Sequence, residues 1–157
     1  MRVTVVAVGK LRRSTLQTAF DDYTTRLRWP VTVHEIPPAK GPTPAKRRAL
    51  EGATLGHHAA SASVVVALDK DGHDLTSEAL AAKIGDWQVS GHGDVAFVIG
   101  GPDGLDDDLR RRADLVLSFG KATWPHLLVR VMLAEQLYRA ASILAGHPYH
   151  RGDAGET

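Results

Sequence analysis

The sequence predicts a single α/β domain over residues 1–157, with a mainly parallel sheet and helices on both faces. Three observations carry this. Short continuous apolar runs, such as VTVVAV at Val3–Val8 and VVVAL at Val64–Leu68, stop abruptly at glycine or polar residues. Runs apolar at nearly every position suit strands buried on both faces. The stretches between them place apolar residues at helical 4-3-4 spacing, and alternating strands and helices argue a parallel sheet. At 157 residues without cysteine, the chain can bury a core without disulfide staples.

The elements follow in order. Val3–Val8 is the first strand. Leu16, Phe20, Tyr23 and Leu27 define one face of a helix, with Ser14 as its N-cap and Pro30 closing the segment. Val31–Ile36 is a second strand, and Pro37–Pro44 is too dense in proline and glycine to be anything but loop. A helix over 45–60 shows Leu50 and Leu55 as its clearest apolar positions. Val64–Leu68 is the third strand, and DKDGHD after it reads as a polar turn. Thr76 or Ser77 caps a helix carrying Leu80, Ile84 and Trp87. Val95–Ile99 is the fourth strand, 105–113 a short charged helix, and Leu115–Leu117 the fifth strand. The last helix runs over 127–144, and a tail begins at Gly146.

Composition narrows the function. The absence of cysteine fits a reducing cytoplasm and rules out thiolate metal sites. No stretch reaches the 18 or so apolar residues that span a bilayer, and the start lacks a signal-peptide cleavage site, so a soluble chain with no membrane partner is expected. Net charge is only +1, yet residues 115–151 hold Lys121, Arg130, Arg139 and Arg151 against Glu135 alone. The basic excess is C-terminal, so a phosphate-rich partner would dock there; a surface fluctuation of three charges is the alternative reading.

Four segments carry candidate chemistry. VIGGPDGL, Val98–Leu105, puts Gly100, Gly101 and Gly104 just past a buried strand, the sheet edge where open α/β folds bind ligands. Its spacing matches neither the dinucleotide fingerprint nor the P-loop, so a tight turn needing glycine only for geometry stays open. SFGKATWPHLLVR, Ser118–Arg130, follows another buried strand and reaches the same edge, with Pro125 placed for the first turn of the next helix. Two such loops make a pocket rich in backbone donors and acceptors and poor in charge, which suits an adenine-and-sugar ligand better than a triphosphate; an ordinary connecting loop is the alternative. The helix LLVRVMLAEQLYRAASIL is apolar almost all round, with a polar stripe of Glu135, Arg139 and Ser142. Such a helix is covered on more than one side, and a subunit interface is the expected second cover. Arg130 lies one turn after His126, so both are expected to point toward the mouth of the second loop, unless Arg130 snorkels to the surface. Last, HPYHR packs His147, Tyr149, His150 and Arg151 into a chain end. Two histidines three apart invite a metal, but with no third ligand nearby no zinc site is expected.

The motifs IGGPDG, TWPH, LVR, EQ, YRA and HPYHR, in that order and with VAVGK near the start, closely resemble the small bacterial SPOUT-class ribosomal RNA methyltransferases over the whole chain. Asp103 is a small departure, standing where glutamate is more usual. The resemblance implies S-adenosylmethionine as cofactor, N3 of a pseudouridine in 23S rRNA of the assembled ribosome as acceptor, and a C-terminal trefoil knot. It also implies a homodimer packed through the last helix. Carried over by position, the cofactor site is Leu68, Gly100, Gly101, Gly104 and Gly120 through Pro125, that is Gly120, Lys121, Ala122, Thr123, Trp124 and Pro125. His150 is the candidate to accept or relay the imide proton, Arg151 and Arg130 to stabilise negative oxygens or hold phosphates, and Tyr149 to meet the base. The tail is expected to complete the partner's pocket and to be ordered to Arg151, with GDAGET a true end. Two alternatives remain at this point: a knotted methyltransferase acting on tRNA or another rRNA position, and a ribosome-associated nucleotide-binding factor without chemistry.

Overall fold

The computed structural model describes residues 1–12 and 14–152, so the expectation for Asp153–Thr157 lies outside the described residues. Five strands form one all-parallel sheet in the order β2-β1-β4-β3-β5. They are β1 (Arg2–Val8), β2 (Val31–Ile36), β3 (Val64–Asp74), β4 (Asp94–Ile99) and β5 (Leu115–Ser118). The helices are α1 (Thr15–Arg26), α2 (Pro44–Ala59), α3 (Ser77–Val89), α4 (Asp107–Arg112), α5 (His126–Leu144) and α6 (Tyr149–Gly152). The expected helix starts hold: Ser14 accepts from Gln17 N at 3.3 Å and Thr76 from Ala79 N at 3.1 Å, each satisfying an orphan amide of a first turn.

The pleat divides the apolar runs between two cores. Val3, Val5, Val66, Phe97 and Leu117 face α3 and α5, where they meet Leu80, Ile84, Leu133 and Leu137. Val6, Val8, Ala67, Ala96 and Val98 face α2 and α4, against Leu55, Ala59, Leu105 and Leu109. α1 lies outside α5, with Phe20 against Ala134. This allocation follows from handedness. The β1–β2 and β3–β4 connections move one way along the sheet and carry α1 and α3 on one side. The β2–β3 and β4–β5 connections move the other way and carry α2 and α4 on the opposite side, as right-handed crossovers require. Each fully buried Val or Leu contributes about 1.5–3 kcal/mol of transfer free energy.

Two boundaries and one helix face differ from the sequence expectation. β3 does not end at Leu68: it slips register between Leu68 and His73 and pairs again with β5 through His73 and Asp74, so DKDGHD leaves the ladder and rejoins it rather than closing a turn. α4 starts at Asp107 instead of Leu105, because Leu105 is an anchor in the second core. On α2, Leu50 is 56% exposed while Glu51 is 4% exposed. The Glu51 carboxylate is drawn inward by the amide of Ala39, which donates to Oε1 at 3.0 Å. Among the described residues no helix is long and apolar enough to cross a membrane.

Candidate active site

Because α3 leaves β3 toward one face and α4 leaves β4 toward the other, the carboxyl ends of these adjacent strands open a crevice, the place where open α/β sheets take ligands. A cavity of about 740 Å³ lies there, a size usual for small-ligand sites. Leu68 closes it from β3, Ile99 and the loop after it from β4, and Leu117 and Phe119 from β5. Of the expected cofactor residues, Gly100, Gly101, Gly104, Gly120, Ala122, Thr123, Trp124 and Pro125 all line it. Lys121 does not; its side chain is exposed. Glycine is required at 100 by close approach, since a Cβ there would lie 2.7 Å from the Gly104 carbonyl oxygen. Trp124 is held at the mouth by its indole N–H, which donates to the Phe119 carbonyl at 3.2 Å.

Asp69, Asp103 and Asp107 of the cavity wall are paired with arginines. Arg47 on α2 donates to Asp103 at 2.7 and 3.2 Å, and this guanidinium holds the Asp103 carboxyl below its usual range. Arg110 pairs with Asp69 at 3.4 Å and with Asp107. What remains is apolar wall, backbone, one exposed indole and the polar side chains of Arg48, Lys70, Asp71 and His126, which fits a nucleoside with a short charged side arm. Sequence reasoning missed Arg48, Asp69 and Arg110, which also line the cavity. Arg48 and Arg110 come from helices and Asp69 from the part of β3 that slips register, and only the position of Asp69 beside Leu68 could have signalled one of them. His126, first residue of α5, also lines it. Burial and then Arg130 lower its pKa, with Glu51 opposing.

Arg130 is neither at the surface nor at the mouth of the loop. It is 1% exposed. Its Nη1 meets Glu35 Oε2 at 2.5 Å, and Nη2 donates to the carbonyls of Gly9 at 3.0 Å and Val8 at 3.3 Å. Glu35 also accepts from the Leu11 amide at 2.8 Å. The guanidinium therefore closes the end of β1 and ties it to β2 and α5.

The tail is built, not frayed. Gly146 takes φ +67°, the left-handed value that ends helices, and His147 N returns to Ser142 O at 2.9 Å. α6 then lays Tyr149 and His150 onto α5 and α3. The Tyr149 hydroxyl donates to Glu135 Oε1 at 3.1 Å, and Arg139 pairs with the same oxygen at 2.7 Å, an i,i+4 pair along α5. The Tyr149 ring stands edge-on to Tyr138 at 4.6 Å and beneath the Arg139 guanidinium at 4.9 Å. Burial and the Glu135 charge push the Tyr149 hydroxyl up, so at neutral pH it is a donor and not a base. His150 sits between Glu78 and Arg139, and Arg151 is exposed. None of these tail residues lines the cavity of its own chain. Among the described residues no group of three or more His, Cys, Asp or Glu is placed to hold a metal ion.

The family described as "Predicted SPOUT methyltransferase" matches residues 1–150. The chain belongs to the SPOUT methyltransferase family. Relatives named ribosomal RNA large subunit methyltransferase H share 48% identity over 151 residues in Rhodospirillum centenum and 47% over 159 in Bradyrhizobium diazoefficiens, each match covering 96% of this chain and 99% of the relative. Solved structures similar in fold include a probable methyltransferase from Bordetella pertussis, at TM-score 0.57 and 14% identity, covering 89% of this chain and 96% of that one. A probable methylase family protein from Haemophilus influenzae reaches TM-score 0.61 at 13% identity, covering 94% of this chain and 69% of that one. The five-stranded parallel sheet is thus a SPOUT fold.

Proposed function

We propose that this SPOUT methyltransferase uses S-adenosylmethionine to methylate N3 of a pseudouridine in large-subunit rRNA, as a cytoplasmic homodimer acting on the assembled ribosome. The relatives' names support the rRNA substrate, and the family supports the cofactor. The pseudouridine, the dimer and the knot formed by the C-terminal segment rest on the resemblance of the HPYHR and TWPH motifs. One domain over 1–157 accords with a family match that runs to residue 150.

One observation carries the mechanism: the cavity and the proton-handling tail are both ordered, yet they lie apart within one chain. A second copy packed on α5 would bring the tail of one subunit to the cavity of the other. When bound, S-adenosylmethionine supplies an already activated methyl group. Leu68, Gly100, Gly101, Gly104 and Gly120–Pro125 bind and orient it, with Lys121 at the rim. The acceptor imide must lose its proton, and the anion needs a positive partner. Arg151 is the exposed cation for that oxygen or a phosphate, Tyr149 donates or stacks, and His150 relays the proton. Arg130 acts through the scaffold. With a net charge of +1, electrostatic capture of loose RNA is weak, and recognition of shape on the ribosome is favoured.

Mass spectrometry of rRNA from a strain lacking the protein tests the reading: one methyl on one pseudouridine should disappear and return on complementation. Unchanged rRNA would refute it.

A further inference from the structure

His150 is held from both sides by its own chain. Its Nε2 lies 2.7 Å from Glu78 Oε1, and its Nδ1 lies 3.3 Å from Arg139 Nη1. A guanidinium only donates, so Nδ1 is the acceptor there and Nε2 carries the hydrogen toward the carboxylate. Glu78 stands in the first turn of α3, 72 residues from the ring it meets. Glu78 also serves the start of its own helix, where its backbone amide and the Thr76 hydroxyl meet the carboxylate, and the contact with the ring is made in addition to that.

We propose that Glu78 is a positioning residue for the tail histidine: it fixes the Nε2–H tautomer and stabilises the ring when Nδ1 takes the acceptor's proton. This rests on the reading of the tail as the proton-handling half of the site. The accounting is simple. The imide N–H bond breaks, its electron pair stays on nitrogen, and the proton forms an N–H bond at Nδ1, while Nε2–H stays hydrogen-bonded to Glu78. Arg139 does not block the step. Its contact with Nδ1 is long for a hydrogen bond, and Glu135 holds it at 2.7 Å, so an incoming N–H displaces the weaker of its contacts. Beyond Glu78 and Arg139, the charged and titratable groups are one contact further out: Glu135 on α5 and Tyr149 on α6 meet Arg139, and Tyr23 and Arg26 on α1 act on Tyr149. Glu78 is well suited to remain ionised. Its own backbone amide, then His150, then the Thr76 hydroxyl hold its carboxyl below the usual range. A carboxylate behind an imidazole is a recurring way of setting tautomer and supporting the imidazolium.

The experiment uses the full chain with isolated ribosomal subunits, and two variants. Glu78→Gln keeps the shape and removes the charge; methyl transfer should fall roughly tenfold, a part of what a general base contributes, and the acid limb of the rate profile should move to lower pH. Glu78→Ala removes the contact; nitrogen-15 spectra of the His150 ring, read without substrate, should lose the Nε2–H preference of the parent. Calorimetry should find S-adenosylmethionine binding unchanged in both. A Glu78→Gln enzyme with parental rate and pH profile overturns the proposal, as does an unchanged tautomer in Glu78→Ala. If His150→Ala instead methylates at the parental rate, the tail's proton role falls, and the tautomer measurement still decides whether Glu78 holds the ring.

Discussion

Arg130→Ala separates a scaffold arginine from a catalytic one. The wild-type side chain is 1% exposed and pairs with a Glu35 side chain that is 29% exposed. Removing one partner of a buried pair costs about 3–5 kcal/mol. Glu35 keeps water and the Leu11 amide, which moves the expectation to about 3 kcal/mol, the lower end of that range. Against a typical domain stability of about 5–15 kcal/mol, the variant folds but is marginal. With a urea slope of about 2 kcal/mol per molar, the midpoint falls by about 1.5 M. Arg130→Lys keeps the charge without the fork and should lose about 1–2 kcal/mol. The assay is urea unfolding followed by tryptophan fluorescence, at fixed protomer concentration because a dimer's stability depends on it. Methyl transfer is measured alongside and divided by the folded fraction, where it should stay within a few-fold of wild type. A variant as stable as wild type to within about 1 kcal/mol, yet inactive, would refute the structural role, since so small a change is what surface sites give.

Gly100→Ala forces a Cβ to within 2.7 Å of the Gly104 carbonyl; calorimetry should show S-adenosylmethionine binding weakened by about tenfold or more, which is about 1.4 kcal/mol. Mixing Arg151→Ala with Gly100→Ala subunits should restore methylation in the mixed dimers, because one site then pairs a normal tail with a normal cavity; no recovery sinks the shared site. Glu78→Gln should behave as a tail variant in the same mixing assay, rescued by Gly100→Ala and not by Arg151→Ala. His126 has a folded pKa below its ordinary 6.5, so below that pH the unfolded chain binds more protons. Stability should therefore be full above about pH 6.5 and fall as pH drops toward the folded pKa, and His126→Gln should flatten that limb in urea titrations across pH.

Strands and helices were legible because burial writes its period into the apolar residues: Val3–Val8 and Val95–Ile99 needed no partner to be recognised. The glycine loops were legible because only glycine tolerates the approach of Gly100 to Gly104. The second half of β3 was not, since its pairing is backbone bonding beneath polar side chains. Leu50 misled, because a lone leucine on a helix says less about the inner face than a glutamate whose oxygen is taken by a loop amide. Arg130 was misplaced for a related reason: its partner Glu35 is 95 positions away, and nothing near Arg130 announces it. HPYHR showed which polar groups the tail carries, but the residues that hold them, Glu78 and Glu135, lie on other helices.

The register slip in β3 also says where this enzyme can change. Leu117 faces both Leu68 and His73, so Asp69–Gly72 can vary in length without re-registering the sheet. Asp69, Lys70 and Asp71 are also part of the cavity wall. The hinge of this loop is pinned, since a Cβ on Gly72 would fall 2.6 Å from the Val116 carbonyl oxygen; the segment before it is held by Ser118 Oγ, which donates to the Lys70 carbonyl at 3.1 Å, and by Arg110 on Asp69, but Asp69–Asp71 puts no side chain into either apolar core. Drift in ligand preference can accumulate there at little cost to folding, which makes Asp69–Asp71 the natural place to re-engineer the enzyme toward bulkier methyl-donor analogues.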